Sequence, residues 1–213
     1  MQIDTIVFEI IHKAQKILLD NPFDLGHDLT HHYKVWENCL KIILNENLSK
    51  KVDKELITIA AWWHDVDRKN HKNKKLIKVL QEYGYPNSKS NEVLKVIDEI
   101  DGPASKEELS SIESKVLCDA DKIEYINITR WEYIKLAFKA GKFPEKAIIH
   151  YGNELEKRIE FVFNNLVFKY SRKRFIQNLK EFIQKYKQTE DSEISKSHID
   201  ISPLQNILRS YQS

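Results

Sequence analysis

The chain is 213 residues long, 41% hydrophobic and 31% charged, with a formal net charge of +2. That length is enough for a well-buried core, and the composition excludes wholesale disorder. A charge so near zero excludes global attraction to nucleic acid, so any anion-binding surface has to be local.

Glycine and proline are scarce, five of each, and Leu, Ile, Lys and Glu recur at helical spacing, which favours helices over strands. In chain order, residues 3 to 19 predict an amphipathic helix with Ile6, Ile10, Ile11, Ala14 and Ile17 as its apolar stripe. Asn21-Pro22 ends it. A second helix starts at about Asp28, a residue suited to an N-cap, and runs to the Asn45-Glu46-Asn47 break. A third spans Lys51 to Asp65. After the polar stretch Arg68 to Lys75, helices are expected over 74–83 and 90–100, separated by Gly84-Tyr85-Pro86-Asn87. Asp101-Gly102-Pro103 is a turn. A long helical region covers 106–139, in one or two pieces, and further helices cover 145–168 and 171–187. No internal repeat and no strand alternation is present. The expected organisation is one helical domain over 1–187, then a polar linker and a short, loosely attached C-terminal helix within 188–213. Cys39 and Cys118 form no CxxC pair and read as buried, reduced thiols of a cytoplasmic protein. No signal peptide is expected, because the N-terminus carries Asp4 and Glu9 and has no basic segment followed by a clean apolar run. No membrane span is expected, because no apolar run approaches ~18 residues.

The chemistry concentrates where the third helix ends. Ile57, Ala60, Ala61 and His64 fall at i, i+3, i+4 and i+7, an apolar face that finishes in an imidazole, with Asp65 about 100° further round. A carboxylate buried there needs a cation, a strong donor or water. The competing reading is a helix C-terminus carrying a dipole-stabilised histidine and a solvated aspartate. Two more segments complete an ordered set: His27-Asp28-Leu29-Thr30-His31-His32-Tyr33-Lys34-Val35 upstream, and Leu117-Cys118-Asp119-Ala120-Asp121-Lys122-Ile123-Glu124 downstream. Imidazole and carboxylate donors suit Mn, Fe, Co, Ni, Mg or Zn as divalent ions. Periodicity does not choose between His31 and His32, because both share a face with apolar residues, and it leaves Asp119 and Asp121 equally open.

These segments resemble the HD-domain metal-dependent phosphohydrolases. The pattern H-x-x-[RK]-V stands at His31 to Val35, A-x-x-H-D at Ala61 to Asp65, and D-[AV]-D-x-[hydrophobic]-[DE] at Asp119 to Glu124. The likeness covers about residues 20 to 187 and leans toward a bacterial branch that contains nucleotide pyrophosphohydrolases. It implies an all-α helical bundle with the metal site between helices, one divalent ion per chain, and His31, His64, Asp65 and Asp121 as ligands. It also implies hydrolysis of a small phosphorylated metabolite, with nucleotides leading, by water activated at the metal, with Asp65 and Lys122 in the catalytic set. Asp67, two residues after Asp65, is a further catalytic candidate as a base on that water. The alternative is a non-catalytic HD module that senses a nucleotide.

Lys34 stands where Arg is common, which keeps the charge and gives up bidentate phosphate geometry. Lys34, Arg68 and His71 are the candidate substrate contacts. Each has a plainer reading as a solvated side chain, and Asp67 has one as an acid paired with Arg68 or Lys69. Lys122 next to Asp121 is a candidate phosphate contact or simply an exposed residue. Trp62 and Trp63 are core candidates. No membrane or nucleic-acid partner is expected, and the sequence leaves the oligomeric state open.

Overall fold

The computed structural model describes residues 4–20, 28–66, 73–101, 105–129, 132, 140–141, 157–188 and 202–211. Among the described residues the regular elements are helices: α1 (Thr5–Asp20), α2 (Leu29–Asn45), α3 (Lys54–Trp63), α4 (Lys74–Glu82), α5 (Asn87–Ile100), α6 (Ile112–Glu124), α7 (Lys169–Gln188) and α8 (Ser202–Ser210). Residues 157–164 are helical as well. The chain divides into two compact units, residues 1–121 and 122–213.

In the first unit α3 is the hub, packed against α1, α2 and α5. Its sequence explains that position. Every residue from Leu56 to Trp63 is buried, as a helix apolar all round must be. Trp62 and Trp63 are core residues, 4% and 1% exposed. The Trp63 indole N–H donates to the Ile10 carbonyl at 3.0 Å, tying α3 to α1. On α1 the buried stripe is Val7, Ile10, Ile11, Ala14 and Leu18. Ile6 and Ile17, expected in that stripe, lie off it, Ile6 exposed and Ile17 half-buried. The reason is spacing: Val7, Ile11, Ala14 and Leu18 follow in steps of four, three and four, and Ile10, three after Val7 and four before Ala14, lies on the same face.

Several boundaries differ from the sequence expectation, and side-chain caps explain two of them. α3 begins at Lys54 and not at Lys51, because the Asp53 carboxylate accepts from the N–H groups of Glu55 and Leu56. α6 begins at Ile112 and not near residue 106. Ser111 Oγ accepts from Ser114 N–H at 2.9 Å, and residues 106–108 form a turn. α5 starts at Asn87, three residues earlier than expected, directly after Pro86, whose carbonyl accepts the Ser90 N–H at 2.8 Å and so opens the first turn. The helix expected over 145–168 stops at residue 164, where the chain turns. Most of 130–156 and all of 189–201 lie outside the described residues.

In the second unit α7 and α8 pack together. Leu204 and Ile207 of α8 are buried with Ile159, Leu166, Phe175 and Phe182, and Tyr211 stacks on Phe163 at 3.6 Å. The C-terminal helix is thus part of that unit's core and not the loose appendage expected from sequence. Arg172 donates twice to the Leu166 carbonyl, at 3.1 and 2.9 Å, which gives this member of the basic Arg172-Lys173-Arg174 run a structural task. Neither cysteine forms a disulfide, and both are buried. No described helix is long and apolar enough to cross a membrane.

Candidate metal centre

The site is built where three helices of the first unit meet end to side. His31 stands in the first turn of α2, and the N-cap Asp28 fixes that turn by accepting the His31 backbone N–H at 3.0 Å. His64 is the C-cap of α3, and Asp65 follows in the turn that ends it. Asp121 lies near the end of α6. α6 is anchored to α2 by Asn38, whose buried amide donates to the Ala120 carbonyl, one residue before Asp121, at 3.3 Å.

The donor atoms of these four residues converge. His31 Nε2 is 3.3 Å from His64 Nε2, 3.2 Å from Asp121 Oδ1 and 3.8 Å from Asp65 Oδ2. His64 Nε2 is 3.3 Å from Asp65 Oδ2 and 3.9 Å from Asp121 Oδ1. Around an ion with ligands at about 2.1 Å, neighbouring donors stand about 3.0 Å apart in an octahedron and about 3.4 Å in a tetrahedron. The observed spacings fall in and just beyond that range. The side chains of His31, His64 and Asp65 are 4%, 2% and 10% exposed, whereas Asp121 is 37% exposed. The cluster therefore opens to solvent beside Asp121.

Its electrostatics call for positive charge. Burial by itself lowers the His64 pKa, but the charge and hydrogen bond of Asp65, with Asp121 behind them, push it up to about 9. Burial alone would raise the Asp121 carboxyl, yet the hydrogen bond and charge of His31 hold it far below the usual carboxylate range. Two ionised carboxylates facing two imidazoles are neutralised either by protons on the rings or by a divalent cation that replaces them. The Nδ1 of His64 donates to the Ala61 carbonyl at 2.9 Å, which directs Nε2 at the other donors, where a cation can displace its proton. The Nδ1–H form left behind is the tautomer a ligating histidine needs.

The structure thus brings together His31, His64, Asp65 and Asp121, and it places Asp119 elsewhere, fully buried within α6. Lys34 is not brought to the cluster: its ammonium pairs with Glu37 at 3.3 Å and lies 6.0 Å over the Tyr33 ring. Burial raises the Glu37 pKa, but Lys41 and Lys34 together bring it below its ordinary value, as expected of a carboxylate held between two ammonium groups. Lys122 is half-buried, with its ammonium 5.8 Å over the Phe161 ring. Asp67, Arg68 and His71 lie outside the described residues, as does His27. Two residues at the site escape the sequence reading of roles. One is Asn38, an amide on the apolar stripe of α2 seven residues after His31, and that placement is its signal. The other is His32, 0% exposed, with its ring centroid 4.6 Å from that of His64 and 5.6 Å from that of His31.

No family model matches the chain. No curated protein matches its sequence. Solved structures do match. A protein of Lactobacillus plantarum shares 19% identity, covers 90% of this chain and 100% of its own, and superposes with a TM-score of 0.59. The Lin1889 protein of Listeria innocua shares 19% identity over 89% of this chain and 97% of its own, with a TM-score of 0.56. A protein from an uncultured Thermotogales bacterium, described as a predicted HD superfamily hydrolase, shares 22% identity over 85% of this chain and 90% of its own, at a TM-score of 0.51. The chain shares the all-α fold of these three structures. Identities this low carry the architecture alone, and the chemistry of the site rests on its own four donors.

Proposed function

We propose that the chain is a metal-dependent phosphohydrolase that cleaves a phosphoester or phosphoanhydride bond of a small phosphorylated metabolite, foremost a nucleotide. One observation carries this reading: the Nε2 atoms of His31 and His64 lie 3.3 Å apart, and a carboxylate oxygen of Asp65 and one of Asp121 each lie within 3.9 Å of both. The Thermotogales protein's description as a predicted HD superfamily hydrolase supports the same direction. His31, His64, Asp65 and Asp121 would hold one divalent ion. When bound, that ion supplies Lewis acidity and a water whose pKa is lowered toward neutrality.

The chain's own groups supply the rest. The exposed edge of Asp121 marks where a substrate oxygen can approach, and Lys122, the next residue along α6, is the nearest sequence candidate for neutralising phosphate charge. Lys34 would have to leave Glu37 to take part, which makes it the weaker phosphate contact. Asp67 would act on the attacking water as a base, and Arg68 and His71 would contact the substrate.

The test is a screen of nucleoside mono-, di- and triphosphates and an aryl phosphate against protein loaded with Mn²⁺, Co²⁺, Ni²⁺, Mg²⁺ or Zn²⁺. The expected result is about one ion per chain by elemental analysis and metal-dependent release of phosphate or pyrophosphate. Less than about a tenth of an equivalent of metal after loading overturns the site. Tight metal and nucleotide binding without turnover would instead identify a nucleotide-sensing module.

A further inference from the structure

His32 is a polar ring where α2 has no evident need of one. It is fully buried beside two ligand imidazoles, a place where a leucine or phenylalanine would fill the volume with no polar atom to satisfy. Its Nδ1 lies 3.3 Å from the Ala61 carbonyl. The same carbonyl takes the Nδ1–H of His64 at 2.9 Å. A carbonyl oxygen only accepts, so both rings carry their proton on Nδ1. It also has two lone pairs, so both bonds can be made together. Ala61 belongs to the last turn of α3, where carbonyls run out of helical N–H partners. Two imidazoles from different helices meet that need. For His64 the consequence is an Nε2 directed into the cluster. For His32 it is a buried Nε2 with no hydrogen-bond partner, a cost that packing alone does not explain. His32 is not among the four candidate ligands: its Nδ1 faces the Ala61 carbonyl and not the cluster.

We propose that His32 is a positioning residue of the metal centre: by sharing the Ala61 carbonyl with His64 and packing against both ligand rings, it fixes the orientation of His64 and His31 toward the ion. This inference rests on the metal-site reading above. It goes beyond the four ligands by assigning the task of orienting them to a residue that does not touch the ion. The ring meets His31 edge-on, at an interplanar angle of 79°, and leans on His64 at 46°, so a change in its shape or anchoring is felt by both.

The experiment compares His32→Asn, His32→Gln and His32→Leu in the full-length chain, using Co²⁺ as the probe. In asparagine the side-chain N–H₂ is attached at Cγ, as Nδ1 is in histidine, so it can still reach the Ala61 carbonyl. In glutamine the amide sits one carbon further out, near the place of Nε2. Dissociation constants for Co²⁺ come from calorimetry, ligand-field bands from the visible spectrum, and melting of the metal-free chains from circular dichroism. His32→Leu is expected to melt in the metal-free state no lower than wild type, because it removes a buried atom without a partner. It should bind Co²⁺ about 10- to 100-fold more weakly, with shifted bands, the range typical of groups that orient metal ligands. His32→Asn should recover most of the affinity and the wild-type spectrum, and His32→Gln should not. Wild-type affinity and bands in His32→Leu overturn the role and leave the metal centre standing. Equal affinity of the Asn and Gln variants overturns the shared carbonyl as the device, and this pair decides the question even where His32→Leu fails to fold. A wild-type chain that takes up no Co²⁺ overturns the metal centre itself, and the role of His32 with it.

Discussion

Asp119 and Asp121 are two residues apart on α6, equally plausible by periodicity, and the structure gives them different surroundings. Asp121 Oδ1 stands 3.2 Å from His31 Nε2 with part of its side chain in solvent, whereas Asp119 is wholly enclosed. Asp121→Asn is therefore expected to weaken Mn²⁺ binding by at least about 100-fold, since it removes a donor and not merely a group that orients one. Asp119→Asn is expected to keep the metal and to lower the melting temperature by a few degrees, the cost of disturbing a buried polar group being about 1–3 kcal/mol. Metal titrations of the two variants check this, and the reverse pattern would shift the ligand assignment by two residues. Lys122 is tested on the other axis. An ammonium cannot ligate a cation, so Lys122→Ala should retain the ion. If it meets a substrate phosphate, kcat/KM should fall roughly 10- to 150-fold, the effect of one charge-assisted contact, and fall further for a triphosphate than for an aryl phosphate. Rates within about twofold of wild type on every substrate would place Lys122 outside the site, as an ordinary surface residue.

At the scale of the helices, the caps decide more than the propensities do. Asp28 closes the first turn of α2 through the amide of His31 itself, so the cap and the candidate ligand are mechanically one feature. Asp28→Ala should cost about 0.5–2 kcal/mol and should also weaken metal binding, because the fraying turn carries a donor. Asp53→Ala is the control: it uncaps α3 at the end remote from His64. It should lower stability comparably, helped by loss of the Lys89 ion pair at 3.3 Å, without changing metal affinity. Equal metal affinities in wild type and Asp28→Ala would separate the cap from the site. The same residues show what is legible in the sequence. The apolar run Ile57 to Trp63 announces a buried helix ending at a histidine, and Asp28 is readable as a cap, because both are local patterns. The starts of α3 and α6 are not, since Asp53 and Ser111 are two of many polar residues until their hydrogen bonds single them out. The choice of His31 over His32 rests on a resemblance, not on periodicity. Both rings are buried, and only the positions of α3 and α6 determine which Nε2 meets Asp121.

For the chain as a whole, an ion held by α2, α3 and the end of α6 would cross-link elements far apart in sequence, and binding that occurs only in the folded state adds to stability by mass action. At a free concentration 100 times the dissociation constant that addition is about 2.7 kcal/mol. In a chain of 213 residues, where each kcal/mol moves the melting temperature by about 2–4 °C, the expected rise is roughly 5–10 °C. Chelator should reverse it. The decisive comparison is the Asp121→Asn chain. Asp121 is partly exposed, so its replacement leaves the apolar core intact, and the variant should melt close to the chelated wild type. It should also stay there when Mn²⁺ is added. A rise of the same size in the variant would mean that the ion stabilises the chain from somewhere other than this cluster. A wild-type rise of less than about 1 °C with saturating Mn²⁺, Co²⁺ and Ni²⁺ would mean that none of these ions is linked to folding at all.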